Sequence, residues 1–405
     1  MSDMKQEDAR TAPVGVWQVL ESLKGEELTK WRLAELDNVS SVEMRNLDVL
    51  PYPYGWFMAC YSDELAIGEV KPLQYFGRDL VLWRGEDGQP RLIDAYCRHL
   101  GAHMGYGGKV EGNNLVCPFH AWAYNEQGCV TDVPYAKRLP PSATKPPATQ
   151  YKTCEENKAV WFWYHPYDEA PKWEVDRFEE VFNADWTEFD KHEWIVRGPI
   201  QNLAENGVDA AHFKYVHGTA TFPDYQMSFD GHKRTATVEA KMGTPKGEID
   251  GKISYGTVGP GQSWTKFSGI SETLLISGVT PIAPDRIHIR FAFTQPKEEA
   301  DGPMQGLAKA LKKDICKQLD QDKVVWDRQK YLNRPIICDG DGPIPAFRSY
   351  FSQFYAEWEK YGKSAGIIRN QRMVEIPPCL VIAFPGGRGT KDMVSRSTKN
   401  NILVY

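Results

Sequence analysis

From about Pro51 to His165 the chain is written in short apolar runs separated by turn residues, which predicts an all-β block. Leu80-Val81-Leu82-Trp83 and Arg91-Leu92-Ile93-Asp94 flank Gly85-Glu86-Asp87-Gly88-Gln89-Pro90, the pattern of a hairpin. Ala159-Val160-Trp161-Phe162-Trp163 closes the block as a buried strand. Four prolines between Pro140 and Pro147 predict a rigid surface excursion. After Pro166 the pattern changes. Arg286 to Phe293 alternates polar and apolar, as an antiparallel strand with one buried face should. Met304 to Leu332 reads as one long helix, with Leu311, Ile315, Leu319 and Trp326 on an apolar stripe. The expected class is α+β, with an N-terminal extension over 1–50, an all-β domain over 51–168 and an α+β domain over 169–405 whose tail is unassigned.

Composition narrows the function. A net charge of −6 argues against nucleic acid as the main partner, because phosphate binding needs a basic surface. No run of 18 apolar residues predicts a membrane span, and Met1 to Lys30 lacks a signal peptide's basic start and apolar middle. A cytoplasmic globular protein is expected. Eight cysteines spread over 405 residues do not make a secreted disulfide framework. Cys60, Cys129, Cys154, Cys316, Cys338 and Cys379 show no ligand spacing and read as core or surface residues.

The other two cysteines carry chemistry. Cys97-Arg98-His99 is followed, seventeen residues later, by Cys117-Pro118-Phe119-His120. Two short-spaced Cys-and-His pairs on two loops of a β domain can close around a metal centre. Zinc accepts the same donors, but Gly101, Gly105, Gly107, Gly108 and Gly112 between the pairs favour a [2Fe-2S] cluster of the Rieske type. There cysteines hold one iron and histidines the other, and glycines let the backbone close tightly around the sulfides. His103 reads as a loop residue bonded to backbone.

A second constellation runs from Glu205 through Asn206 and Asp209 to His212 and His217. At helical spacing Asp209 falls between the two histidines, which can supply adjacent positions on one iron. A carboxylate completing a two-histidine, one-carboxylate triad leaves positions open for oxygen. Asp322 lies on the apolar stripe of the long helix, whereas Asp320 and Asp327 lie off it, and a carboxylate on a buried face is costly unless paired or metal-bound. The competing reading pairs Asp322 with Arg328. Asp209 is then free to orient His212 and to reach a cluster histidine; the competing reading is a helix-face salt bridge. Asn206 would lie near the iron without binding it.

These residues resemble the Rieske non-haem iron oxygenases over roughly Pro51 to Tyr355. The matching stretches are Asp94 to His99, Cys117 to His120, Val133-Pro134-Tyr135-Ala136, the Asp209/His212/His217 segment, Gln321-Asp322 with Trp326 and, more loosely, Gln353-Phe354-Tyr355. Within the family the chain is most similar to 3-ketosteroid 9α-hydroxylase oxygenase components and more distantly to cholesterol 7-desaturases. Ala102 and Phe119 stand where respiratory Rieske proteins carry bridging cysteines.

The resemblance implies a Rieske domain on a helix-grip catalytic domain with an antiparallel sheet. It also implies a homotrimer in which the cluster of one subunit serves the iron of the next through Asp209. The expected cofactors are a [2Fe-2S] cluster, a mononuclear Fe(II) and O2. With no G-x-G-x-x-G after a strand, NADH would act through a separate ferredoxin or flavin/iron-sulfur reductase. The expected reaction is insertion of one oxygen atom into a C–H bond of a hydrophobic polycyclic, steroid-like substrate. The alternatives are an O- or N-demethylase of a small aromatic, an electron-transfer Rieske protein, and a zinc hydrolase using His212 and His217.

Overall fold

The computed structural model describes residues 20, 22–35, 45, 50–147, 149–218, 226–244, 247–269, 271–303, 305–338, 340–356, 380–381 and 403–404. The chain divides into two compact units, Met1–Phe347 and Arg348–Tyr405. In the second unit a 3-10 turn over Ser352–Phe354 is closed by an edge-on contact of Phe351 with Phe354 at 5.6 Å, and Leu380–Val381 pairs in parallel with Leu403–Val404. Cys379 and the Pro385 to Gly389 segment lie outside the described residues. No described helix is long and apolar enough to cross a membrane.

In the first unit the expected hairpin forms. Strands Arg78–Arg84 and Pro90–Asp94 pair antiparallel from Leu80↔Asp94 to Arg84↔Pro90, with Val70–Tyr75 on the other side of the first. Strands Gly55–Tyr61 and Ala159–Tyr164 pair with each other and are buried at every position. Unbroken apolar runs of this kind need cover on both faces. The large sheet of the second domain covers part of one: Thr280 Oγ1 donates to Met58 O at 2.8 Å, and a Cβ on Gly278 would meet Met58 Cβ at 2.6 Å. Burying Phe57 and Phe162 completely contributes about 1.5–3 kcal/mol each.

This large sheet has seven antiparallel strands. Asp190–Arg197 lies at one edge beside Arg286–Thr294. Next come Thr273–Ala283, Gln262–Ser268, Gly247–Val258 and Lys233–Thr244, with Gln226–Asp230 at the far edge. The chain therefore leaves one edge strand, crosses to the other edge, and meanders back. The crossing segment holds two short helices, α2 (Ile200–Asn206) and α3 (Ala210–Tyr215). After the last strand the long helix α4 (Gln305–Trp326) packs on the edge strand, ending earlier than the expected Leu332. One further helix, α1 (Gly25–Leu33), packs near the same strand through Arg32, which bonds Asp320 and lies over Trp194.

A closed ring of polar side chains fastens the first domain to this sheet. Arg290 Nη2 donates to Tyr75 Oη at 3.0 Å, Tyr75 lies 3.2 Å from His288 Nδ1, His288 Nε2 lies 3.1 Å from Glu193, and Arg290 Nε donates to Glu193 at 3.1 Å. Every group is satisfied when His288 is neutral, with Nε2 carrying the proton. Burial, then the Arg290 charge, pushes the His288 pKa down to about 4 against the pull of Glu193. For Glu193 burial acts upward, but the His288 hydrogen bond and the Arg290 charge outweigh it and bring the carboxyl to about 2.

Both groups therefore take up protons at higher pH in the unfolded chain, near 6.5 and 4.5, than in the fold. Stability is lost on acidification, first through His288 between pH 6.5 and about 4, then through Glu193 down to about 2. His288→Gln is expected to flatten the first of these losses, read as the urea midpoint against pH. An unchanged slope would assign that loss to another group.

Candidate metal centres

The two Cys-and-His pairs lie on adjacent loops. Cys97 N donates to Ala102 O at 2.8 Å and Cys117 N to Trp122 O at 2.9 Å, so each loop is tied across its own neck. Gly101 sits at φ +75°, and a Cβ on Gly108 would meet Met104 O at 2.1 Å, so neither position accepts a side chain without strain. Cys97 and Cys117 are buried within the first domain's apolar core, beside Val81, Trp83, Met104, Leu115 and Tyr124. His99 and His120 are half-buried, with ring centroids 4.7 Å apart at 73°.

This asymmetry suits a cluster whose cysteine-bound iron lies inward and whose histidine-bound iron lies outward. His99 Nδ1 is buried without a hydrogen-bond partner, as expected of a nitrogen reserved for metal. The donor set fits the group. Tyr124 Oη accepts from Arg98 N at 3.0 Å and lies 3.1 Å from Cys97 Sγ, so the hydroxyl proton is left to donate to sulfur. Burial, then contact with the Cys97 thiol, raises the Tyr124 pKa and keeps that proton in place. Burial is also the largest effect on the Cys117 thiol, which is pushed up. Trp122 stacks flat on His99 at 4.6 Å and donates Nε1–H to Tyr135 Oη at 2.8 Å. Tyr135 thereby braces the ring that braces His99. His103 accepts from Gly105 N through Nδ1, and no described cysteine is in a disulfide.

The second constellation departs from the expected single helix. Gly207-Val208-Asp209 breaks it, and Asp209 is the N-cap of α3, its carboxylate accepting from Ala211 N at 3.0 Å and His212 N at 3.3 Å. An Asp at helical spacing from two histidines reads equally well as a cap, and capping satisfies donors that a continuous helix would not leave free. His217 lies beyond the end of α3. The Asp209 carboxylate is 3.8 Å from His212 Nδ1, whereas the backbone carbonyl of Asp209 is 2.6 Å from it. A carbonyl only accepts, so Nδ1 carries the proton and Nε2 is left bare.

His212 Nε2 is buried without a partner. His217 also has an oxygen facing its Nδ1, but its Nε2 faces a carboxylate. Its Nδ1 lies 3.0 Å from Gln321 Oε1, and its Nε2 lies 3.4 Å from Asp322 Oδ1. Asn206 Nδ2 donates to Asp322 Oδ2 at 3.0 Å, fixing the carboxylate. Donor atoms of His212, His217 and Asp322 all lie within 4.8 Å of one another. Two imidazole nitrogens, that of His212 without a partner and that of His217 facing Asp322, and one oriented carboxylate fit a divalent iron with positions to spare.

The electrostatics agree with that grouping. Burial lowers the His212 pKa, with His217 acting the same way and Asp322 and Asp209 opposing. For His217 the Asp322 carboxylate overcomes burial and raises it. Arg328 does not pair with Asp322; it donates to Val324 O at 2.8 Å. Asp320 and Asp327 are buried as well as Asp322, contrary to the stripe, because each faces a cation on the back of the helix.

Gln321, Trp122, Tyr124 and Tyr135 were not singled out as orienting groups from sequence. Only their adjacency to Asp322, His120 and the Val133 to Ala136 stretch offered a signal.

Comparisons with known proteins match both domains. The Rieske [2Fe-2S] domain profile matches residues 55–145, and that of the 3-ketosteroid 9α-hydroxylase C-terminal domain matches 162–355. The oxygenase component of 3-ketosteroid-9-alpha-monooxygenase from Rhodococcus rhodochrous is 27% identical over 340 residues, covering 78% of this chain and 87% of its own. Cholesterol 7-desaturase from Xenopus laevis is 28% identical over 337 residues, covering 75% and 72%. Dicamba monooxygenase bound to 3,6-dichlorosalicylic acid shares the fold, with TM-score 0.63 and 17% identity over 76% of this chain and 98% of that one. With a Rieske domain, a matching catalytic domain and donor sets for both metals, the chain belongs to the Rieske non-haem iron oxygenases.

Proposed function

We propose that this terminal oxygenase inserts one oxygen atom from O2 into a C–H bond of a hydrophobic polycyclic, steroid-like substrate, using electrons from a separate NADH-dependent reductase. The observation that carries the oxygenase reading is the convergence of His212 Nε2, His217 Nε2 and Asp322 on one point. An electron carrier has no use for a second donor set. The names of the relatives support the substrate class. We place the domain division near residue 168, supported by profile matches that end at 145 and resume at 162.

Cys97, His99, Cys117 and His120 would hold the cluster, and His212, His217 and Asp322 the mononuclear iron. When bound, these groups supply single-electron transfer and oxygen activation. The chain supplies orientation. The Asp209 carbonyl and Gln321 amide fix both imidazoles with Nε2 inward, and Asn206 holds one oxygen of Asp322 so that the other stays available. The Asp209 side chain remains about one-third exposed while capping α3. In a homotrimer that exposed edge is suited to accept an imidazole N–H from a second subunit.

Three outcomes test this reading. A single turnover of anaerobically reduced protein with 3-ketosteroids and methoxy-aromatics, exposed to oxygen-18 gas, should add one labelled atom to a steroid; demethylation of an aromatic would instead move the enzyme to the demethylase class. Iron assay should give about three irons per chain, two in the cluster and one in the triad, and Asp322→Ala should lose the third while the cluster's visible absorbance persists. Retained stoichiometric iron would mean that another carboxylate serves. Asn caps a helix as well as Asp, so Asp209→Asn should keep both metals and leave the unfolding midpoint nearly unchanged. Coupled turnover should nevertheless be lost. Normal turnover in that variant would remove Asp209 from the electron route.

A further inference from the structure

The N-terminal segment lies outside both domain profiles, the first of which begins at residue 55, yet it grips the helix that carries Asp322. Arg32 makes a bidentate pair with Asp320, Nε to Oδ1 and Nη2 to Oδ2, both at 2.7 Å. Trp194 Nε1 donates to the same Oδ1 at 2.8 Å, and the Arg32 guanidinium lies over the Trp194 ring at 4.7 Å. One turn on, Lys323 Nζ donates to Ala34 O at 3.2 Å, Ile195 O at 2.6 Å and Asp327 at 2.7 Å. At the end of α4, Arg45 donates to Trp326 O at 3.3 Å and Gln329 O at 2.8 Å, and Arg45 O accepts from Tyr331 N at 2.9 Å.

At about 100° per helical residue, Asp320, Lys323 and Asp327 share one side of α4 and Asp322 faces the opposite way. The N-terminal segment thus holds the back of the turns whose front carries the ligand. The attachment of α1 does not come from apolar burial. Arg32 is the one buried residue of α1, and the rest of that helix is exposed or half-buried. A buried ion pair is a poor source of stability compared with apolar packing, because desolvation offsets most of the attraction. What it supplies is a defined geometry, since a bidentate guanidinium–carboxylate pair accepts one register.

We propose that Arg32 is a positioning residue for the mononuclear iron site, acting through Asp320 to set the rotation and register of α4 and hence of Gln321 and Asp322. This rests on the reading of Asp322 as an iron ligand. The described residues 25–35 and Arg45 are in that sense part of the metal site's scaffold.

The test uses the full chain with its cluster loaded and ferrous ion as the probe. Arg32→Met should weaken ferrous binding about ten-fold, the lower end of the effect of losing a supporting partner, and leave the cluster absorbance unchanged. It should also alter the EPR line shape of the nitric oxide complex of the ferrous site. Arg32→Lys, which keeps one ion contact, should recover part of both.

The control is Arg84→Met, which removes a bidentate pair with Glu155 in the first domain. It should lower thermal stability without changing ferrous affinity or line shape. Should Arg32→Met fail to fold, Asp320→Asn keeps the Trp194 acceptor and should weaken ferrous binding several-fold. Wild-type affinity and line shape in a folded Arg32→Met or Asp320→Asn protein would overturn the proposal. Asp322→Ala separates the two failures. If it keeps its iron, the triad reading falls and takes the clamp with it; if it loses iron while Arg32→Met binds normally, only the clamp falls.

Discussion

The arrangement of the candidate iron site depends on the register of helix α4 against the strand Asp190–Arg197. Three successive attachments set it: Trp194 Nε1 to Asp320, Lys323 Nζ to Ile195 O, and Arg197 N to Asp327 at 2.8 Å. Rotating the helix by one residue would turn Asp322 through about 100° and away from His217, and a slip of one turn would carry it about 5.4 Å along the axis. Apolar packing alone tolerates small slides of this kind. A buried charge has few acceptable partners, so each of these pairs rejects the neighbouring registers at the cost of an orphaned ion.

The two donor sets solve the same problem in different ways. At the cluster site each half is local, a Cys and a His on one tight loop, and the cysteines are anchored by belonging to the apolar core. At the iron site the halves are distant in sequence. The histidines come from the segment that crosses the sheet, where Tyr255 Oη donates to Gly207 O at 2.9 Å just ahead of the cap, and the carboxylate returns on α4 more than a hundred residues later. Topology does the joining. Because the edge strand Asp190–Arg197 precedes the crossing segment and its neighbour Arg286–Thr294 precedes α4, both connections leave adjacent strands.

That difference decides what was legible in the sequence. Cys97, His99, Cys117 and His120 announce themselves through spacing and surrounding glycines, and the hairpin Leu80 to Asp94 through its turn residues. The stripe on α4 pointed to Asp322 but left Asp320 and Asp327 aside, because their burial depends on Arg32 and Lys323, one of them 288 residues away. The break at Gly207 to Asp209 was masked by periodicity, since a cap and a helix-interior Asp occupy the same spacing. Gln321, Trp122 and Tyr124 act through partners that no local pattern names. Orientation of a ligand is a three-dimensional property even where the ligand itself is a motif.

The ring of Arg290, Tyr75, His288 and Glu193 bears on how electrons travel. It is closed and satisfied in one protonation state, with Arg290 and Tyr75 buried and His288 and Glu193 half-buried, and it is reinforced by backbone bonds from Phe76 N to Pro281 O and Gly77 N to Ile282 O, each 2.8 Å. A cluster domain fastened in this way is not a tethered shuttle that swings between donor and acceptor. The spacing between its cluster loops and the iron helix is a built-in constant of the subunit. A change in that spacing would need a change in the packing of the two domains, because this attachment is not a hinge.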